Sequence, residues 1–112
     1  MPSTAAPSVV LTAEARIRAD RRAEFLAAAT ALRTASRAED GVIAFGFYED
    51  PTEPGLFFFR EEYRDQDAMD RHMALPHAQE YVRAQGGWLA EPATARLSAT
   101  ETVREFHIQP LT

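Results

Sequence analysis

Three residue types are missing from this 112-residue chain: cysteine, lysine and asparagine. Without cysteine the chain can form no disulfide bond, no thiolate nucleophile and no cysteine-ligated metal site. All 12 basic residues are arginines. The chain therefore has neither a Schiff-base amine nor the lysine of a phosphate-binding P-loop. These absences exclude several common enzyme classes before any motif is considered.

A strong positive charge and long apolar runs are missing as well. The formal net charge is −5 at pH 7, and acids and arginines are interspersed along the chain. Such a sequence offers no basic face to nucleic acid or to anionic lipid. No apolar run approaches the roughly 20 residues of a membrane helix, and the N-terminus lacks the basic and apolar regions of a signal peptide. We therefore expect a cytoplasmic protein with no nucleic acid and no membrane partner.

The length is that of one domain. We expect a flexible N-terminal tail over residues 1–8, a single domain over residues 9–107 and a short C-terminal tail over residues 108–112. Alternating apolar residues predict strands at both ends of this domain, Ser8–Arg18 and Thr94–Phe106. After the first strand, Asp20 is predicted to cap a helix that has an apolar stripe around Phe25 and stops at Gly41.

A hairpin and two short helices are predicted between these outer elements. The strands Val42–Glu49 and Leu56–Arg64 flank a turn rich in proline and glycine. Asp65 is a good cap for the next helix, and Pro76 divides that helical region in two. The order is βαββαβ, which predicts an α+β, ferredoxin-like fold with an antiparallel sheet and helices on one face.

The hairpin is unusually aromatic. Seven of the 11 aromatic residues fall between Phe45 and Tyr63. The runs IAFGF and LFFF leave no polar face at this end of the hairpin, although a sheet covered on one side should alternate apolar and polar residues. We expect a second copy of the chain to cover the other face, sheet against sheet, in a homodimer.

Glu61 and His72 are the candidate catalytic pair. Glu61 lies in register with Phe59 and Tyr63, and a carboxylate on an apolar strand face must be paired or solvated. His72 lies on the apolar side of the following helix. We predict that Glu61 holds one imidazole nitrogen and leaves the other as a base near neutral pH. The alternative is a structural hydrogen bond that ties helix to strand without any substrate.

Three ordered pieces of the sequence resemble a known family. They are the helix end of residues 36–41 before a strand, the turn of residues 50–55, and the run Glu61-x-Tyr63-x-Asp65 followed by Ala68, His72 and His77. In these pieces the chain resembles the antibiotic biosynthesis monooxygenase family, a dimeric α+β barrel group that includes small quinol monooxygenases. The resemblance spans roughly residues 9–106, and its weight lies in the order and spacing of the pieces.

The resemblance implies a homodimer with a pocket between sheet and helices in each subunit. In that pocket a small aromatic or quinol substrate would react with O₂ without flavin, haem or metal. His72 would act as the base and Glu61 would orient it. Substrate-binding candidates are Tyr63, Phe59, Phe47, Met69, His77 and Trp88. For Tyr63 a purely structural hydrogen bond is the alternative, and for Trp88 a place in the core or the dimer seam.

Two features of this sequence differ from known cofactor-binding patterns and restrict the chemistry that we expect. Haem-degrading relatives rely on an asparagine and on a haem-ligating histidine, whereas this chain lacks asparagine and has Tyr81-Val82 near the ligand position. His72 and His77 are five residues apart across a proline, which does not match the i, i+4 spacing of a helical zinc pair. We therefore expect neither haem degradation nor a metal site. A non-catalytic small-molecule-binding or stress-response dimer and an isomerase of a small hydroxycarbonyl metabolite stay open as alternatives.

Overall fold

A computed structural model describes residues 3–111 of the chain, and its side chains from residue 6 onward. The strands and helices, in chain order, are β1 (Ser3–Ala5), β2 (Ser8–Arg16), α1 (Arg22–Arg37), β3 (Val42–Glu49), β4 (Leu56–Tyr63), α2 (Gln66–Ala74), α3 (Pro76–Ala84), β5 (Thr94–Thr100) and β6 (Val103–Glu105). Among the described residues, no helix is long and apolar enough to cross a bilayer.

The main sheet has four antiparallel strands in the order β3-β4-β2-β5. The three helices pack on one face of this sheet, and the predicted ferredoxin-like α+β fold is confirmed. Strand β4, which carries Glu61, lies between β2 and β3. In this register Glu61 is paired with Leu11 on one side and Phe45 on the other. The candidate carboxylate is therefore held in the middle of the helix-covered face.

Phe25 of α1 is the centre of the core beneath the helices. It is fully buried. Its ring centroid lies 4.7 Å from that of Phe57, 6.0 Å from Phe47, 6.1 Å from Phe59 and 6.1 Å from Trp88. Several of these pairs meet edge to face, an arrangement that aromatic quadrupoles favour. The apolar stripe predicted for α1 is thus confirmed as the face that packs on the sheet.

Two predicted ends of α1 are wrong. Asp20 does not cap the helix, because residues 19–21 form a 3₁₀ turn in which Asp20 pairs with Arg18, and α1 begins at Arg22. The helix also ends at Arg37, before Gly41. Gly41 does not have a positive φ. A Cβ atom there would overlap the Cβ of Ala68. Gly41 is therefore required for close packing of the segment after α1 against α2.

The predicted start of α2 and the predicted break after it are confirmed. The Asp65 side chain accepts a 2.8 Å hydrogen bond from the backbone N–H of Ala68. Pro76 lies in the first turn of α3, where its missing N–H leaves no hydrogen bond unmade. The chain turns sharply at Leu75, whose extended backbone separates the two helices. This turn brings the side chains of α2 and α3 towards each other.

The chain ends differ from the prediction. The segment Ser3–Ala5, predicted to be a loose tail, pairs as β1 with β6 in a separate two-stranded sheet. The predicted strand Thr94–Phe106 is likewise divided, because β5 leaves the main sheet at Thr100, opposite Ser8. Pro7 precedes Ser8 and has no backbone N–H to donate, so the β2–β5 ladder lacks a donor at that point.

The face of the sheet away from the helices carries exposed aromatic side chains near the hairpin turn. Phe58 and Tyr48 are cross-strand neighbours there, and they are 40% and 63% exposed. Further along β4, Arg60 and Glu62 form a 3.0 Å ion pair on the same face. The open face is therefore apolar at Phe58 and Tyr48 and polar at Arg60 and Glu62.

Candidate active site

A cavity of about 290 Å³ lies between the sheet and the helices. Its walls are mostly aliphatic and aromatic side chains, among them Phe59 of β4, Tyr81 of α3 and Trp88. This lining includes one carboxylate, that of Glu61, and one imidazole, that of His72. An apolar cavity with a few convergent polar groups is the usual form of a small-molecule site. The two residues predicted to be catalytic therefore face one enclosed space.

His72 is held by Glu39 and not by Glu61. Its side chain is 3% exposed, and its Nδ1 lies 2.8 Å from Oε2 of Glu39. Glu39 reaches α2 because Gly41 lets the segment after α1 pack closely against Ala68. The predicted hydrogen bond between Glu61 and His72 is wrong: Nδ1 of His72 is bound to Glu39, Glu61 accepts from Tyr63, and within residues 6–111 no hydrogen bond joins Glu61 to His72.

The hydrogen bond to Glu39 fixes the tautomer of a neutral His72. A carboxylate only accepts, so the proton must lie on Nδ1. The lone pair is then on Nε2, which has no hydrogen-bond partner within residues 6–111. Since the ring lines the cavity, Nε2 is the nitrogen available to a ligand. This arrangement gives His72 the geometry of a general base oriented by a carboxylate.

His77 binds the same carboxylate oxygen. Its Nε2 lies 2.7 Å from Oε2 of Glu39, and its side chain is 27% exposed. The ring centroids of His72 and His77 are 5.8 Å apart across the turn between α2 and α3. The ligand atoms of Glu39, His72 and His77 all lie within 4.8 Å of one another. The spacing of His72 and His77 argues only against a zinc pair on a single helix, and it does not apply to this cluster, in which Glu39 is the third member.

Glu61 receives a short hydrogen bond from the hydroxyl of Tyr63. Burial raises the pKa of the Glu61 carboxyl, while the Tyr63 hydrogen bond and the nearby His72 act in the opposite direction. Burial also raises the pKa of Tyr63, and the charge of Glu61 adds to that rise. Tyr63 therefore stays a hydroxyl donor at all ordinary pH values, and Glu61 is the group of this pair that can exchange protons.

Tyr81 is a cavity residue that the sequence reasoning did not select. In the sequence, Tyr81 stands near the position of the haem-ligating histidine of haem-degrading relatives. In the structure its ring centroid lies 5.4 Å from that of Trp88 and 6.0 Å from that of Phe59. Burial raises the pKa of its hydroxyl, and the charge of Glu61 raises it further. The sequence signal for Tyr81 is its position three residues after Ala78, because this spacing puts both side chains on the same face of α3.

The substrate-binding candidates divide into two groups. Phe59 and Trp88 line the cavity, and their substrate-binding role stays a prediction. The lining does not include the other four, which are Tyr63, Phe47, Met69 and His77. Phe47 packs in the core, Met69 packs beside Tyr63, and His77 binds Glu39. The indole N–H of Trp88 donates a 2.7 Å hydrogen bond to Glu24, which fixes this wall of the cavity.

Comparison with known proteins gives a consistent result. Residues 8–84 match the family model described as "Antibiotic biosynthesis monooxygenase". The chain is 34% identical over 89 residues to an uncharacterised protein of Synechocystis, covering 80% of this chain and 60% of that protein. This chain thus spans about three fifths of the length of that relative. It is also 34% identical over 74 residues to the Bacillus subtilis protein named "Putative monooxygenase YcnE", covering 66% of this chain and 78% of that protein.

A solved structure extends the similarity to the fold. The structure of Rv0793 from Mycobacterium tuberculosis superimposes with a TM-score of 0.75 at 28% sequence identity. The superposition covers 94% of this chain and 96% of that chain. The similarity therefore includes the helices and strands that form the cavity.

Proposed function

The chain belongs to the antibiotic biosynthesis monooxygenase family, and from this membership we propose that it oxidises a quinol, anthrone or related phenol with O₂ without a cofactor. The observation that carries the proposal is the state of His72. Its Nδ1 lies 2.8 Å from Oε2 of Glu39, so that in the neutral ring Nε2 is the proton acceptor on the wall of an apolar cavity. The family membership supplies the monooxygenase chemistry, and the cavity suggests the substrate class.

His72 would start the reaction by taking the proton of a phenolic hydroxyl. The proton moves to Nε2, and the imidazolium that forms is stabilised by the Glu39 carboxylate beside Nδ1. The phenolate is far more electron-rich than the phenol and can pass an electron to O₂. A positioned general base typically contributes about 10²–10⁴-fold to such a rate.

The atoms balance without an external reductant. The substrate supplies both electron pairs, one oxygen atom of O₂ enters the ring as a new carbonyl or hydroxyl group, and the other leaves as water. The organic product is a hydroxyquinone from a quinol, or a quinone from an anthrone. The chain's own contribution is to bind the ring, take the first proton at Nε2 of His72 and exclude bulk water from reactive intermediates.

The walls of the cavity suit a flat, apolar ring. Phe59, Tyr81 and Trp88 present aromatic surfaces with ring centroids 5.4–6.0 Å apart. Aromatic rings in that range favour offset or edge-to-face contacts with a further ring. Glu61 is the carboxyl group in this lining, and burial raises its pKa; in its protonated form it would donate a hydrogen bond to a substrate oxygen.

The presence of both Glu61 and His72 in the lining of one cavity also favours a second candidate function, that of an isomerase of a small hydroxycarbonyl metabolite. Such an enzyme needs one base and one acid near the substrate, and these two residues provide both. The isomerase consumes no O₂, which separates it from the first proposal.

We propose further that the protein is a homodimer joined through the sheet. Phe58 and Tyr48 lie side by side on the face that carries no helix, and both are exposed in the isolated chain. An exposed aromatic pair on an open sheet face is typical of a surface covered by a partner. A second copy packed sheet against sheet would bury this pair and give the α+β barrel.

Oxygen consumption tests the proposed function directly. The purified protein should increase O₂ uptake in the presence of a naphthoquinol or an anthrone, and each mole of O₂ should yield one mole of oxygenated product. If no quinol or anthrone consumes O₂ above the uncatalysed background, the oxygenase proposal fails. Conversion of a hydroxycarbonyl compound without O₂ uptake would instead identify the isomerase.

A further inference from the structure

We propose that Glu39, His72 and His77 form a site for one divalent transition-metal ion of the zinc type. Two imidazole nitrogens and one carboxylate oxygen converge here from three different segments of the chain. The three donors lie behind the cavity wall, and among them only His72 belongs to the cavity lining. The metal would therefore bind beside the proposed active site and not within it.

The distances fit a metal after a small adjustment. Oε2 of Glu39 lies 2.8 Å from Nδ1 of His72 and 2.7 Å from Nε2 of His77. Zinc bonds to nitrogen and carboxylate oxygen are about 2.0–2.2 Å long, so tetrahedral ligands lie about 3.3–3.5 Å apart. Moving Oε2 of Glu39 about half an ångström away from each nitrogen would bring these two distances into that range and leave room for the ion.

The donor set selects the class of metal. Imidazole favours zinc, copper, nickel and iron, whereas magnesium and calcium take oxygen ligands. Three protein donors leave a fourth position for water, as in zinc sites that are not fully closed by protein. An ion can reach the site from the surface, because the side chains of His77 and Glu39 are 27% and 14% exposed.

The site is built on a rigid frame. His72 and His77 lie on α2 and α3, which are joined only by the extended Leu75. Glu39 is held against α2 by the close contact of Gly41 with Ala68. Because the donors are already assembled, binding would require little reorganisation of the chain.

Metal binding would change what His72 presents to the cavity. A neutral imidazole has one ring proton. If Nδ1 gives its lone pair to a metal, the proton must lie on Nε2. His72 would then face the cavity as a hydrogen-bond donor and could not accept a phenolic proton. This consequence, unlike the site itself, rests on the proposed function, and it would make zinc an inhibitor of the oxygenase.

Calorimetric titration with zinc chloride tests the site without any substrate. The full-length, tag-free protein is first treated with EDTA and dialysed. We expect one zinc ion per chain, and we expect His77→Ala and Glu39→Gln to weaken binding by about 100-fold or more, because loss of even an outer-shell partner costs 10–100-fold. Circular dichroism of each variant establishes that it is folded.

His107→Ala is the matched control. His107 is the third histidine of the chain; it is exposed near the C-terminus and is not one of the three clustered donors. This variant should bind zinc as the unmodified protein does. Absence of one-to-one binding, unchanged binding in folded His77→Ala, or loss of binding in His107→Ala would each overturn the proposal. Because no substrate is present, these outcomes are independent of whether the protein is an oxygenase.

Discussion

Oε2 of Glu39 lies 2.8 Å from Nδ1 of His72, although 33 residues separate the two in the chain. This contact sets the direction of the imidazole, since Nδ1 must donate and Nε2 is left to face the cavity. Glu61, which the sequence favoured for this task, instead accepts a hydrogen bond from Tyr63. In the proposed mechanism Glu39 therefore orients the His72 ring, and Glu61 contacts the ligand.

Replacing Glu39 by glutamine should lower turnover more than binding. The amide occupies similar space but carries no charge, so it neither fixes the His72 tautomer nor stabilises the imidazolium. We expect kcat for quinol oxidation to fall about 100-fold or more, with KM nearly unchanged. Glu80→Gln, an exposed acid on α3, is the control and should retain full activity. Equal losses in both variants would contradict a positioning role for Glu39.

Gly41→Ala should destabilise the protein. The new Cβ would overlap that of Ala68, and overpacking of this kind typically costs about 1–3 kcal/mol. The control is Gly87→Ala, because a Cβ at Gly87 has no neighbour within 4 Å. Chemical denaturation compares the two variants. If Gly87→Ala lowers the unfolding free energy as much as Gly41→Ala does, the packing explanation is wrong.

Glu61→Gln should become relatively more stable as the pH rises. Burial raises the pKa of Glu61 in the folded state. The stability that depends on protonation of Glu61 is therefore fully present below its ordinary pKa of 4.5 and is lost as the pH rises through the folded value. Glutamine keeps an oxygen for the Tyr63 hydroxyl and does not ionise.

Melting temperatures between pH 4 and pH 8 provide the measurement. The difference in Tm between Glu61→Gln and the unmodified protein should increase in favour of the variant over this range. Glu80→Gln should show no comparable trend. A Tm difference that is constant or decreases with pH would show that burial does not penalise the Glu61 charge.

Phe58→Arg should weaken the proposed homodimer. Phe58 lies on the open face of the sheet, and a charge buried between two sheets without a partner is strongly unfavourable. Ala27→Arg, on the exposed side of α1, introduces the same side chain away from that face and should leave the dimer intact. Sedimentation velocity at micromolar concentration measures both. An unmodified protein that is monomeric under these conditions would refute the dimer itself.

The fold was accessible from the sequence because its signals are local. The alternation of β2, the apolar stripe around Phe25, the cap at Asp65 and the break at Pro76 each depend on a few neighbouring residues, and the structure confirms them. The pairing of β1 with β6 was missed because it joins the two chain ends. No periodicity within either segment specifies such a partner.

The candidate site was only partly accessible for the same reason. His72 and Glu61 could be selected because each is a polar residue on an apolar face of its own element. Their hydrogen-bond partners could not be predicted from the sequence, since Glu39 reaches His72 only through the packing of Gly41 on Ala68. Phe47 was a substrate-binding candidate, but nothing in the local pattern of β3 shows that the cavity lining leaves it out.

Oxygen uptake by His72→Ala is the most direct test of the central claim. The assay compares this variant with the unmodified protein on the quinol or anthrone that gives the highest rate. Sedimentation establishes that both have the same oligomeric state. The proposed mechanism predicts that the variant loses most of the catalysed uptake, about 100-fold or more. Unchanged uptake in a folded variant would show that His72 is not the base.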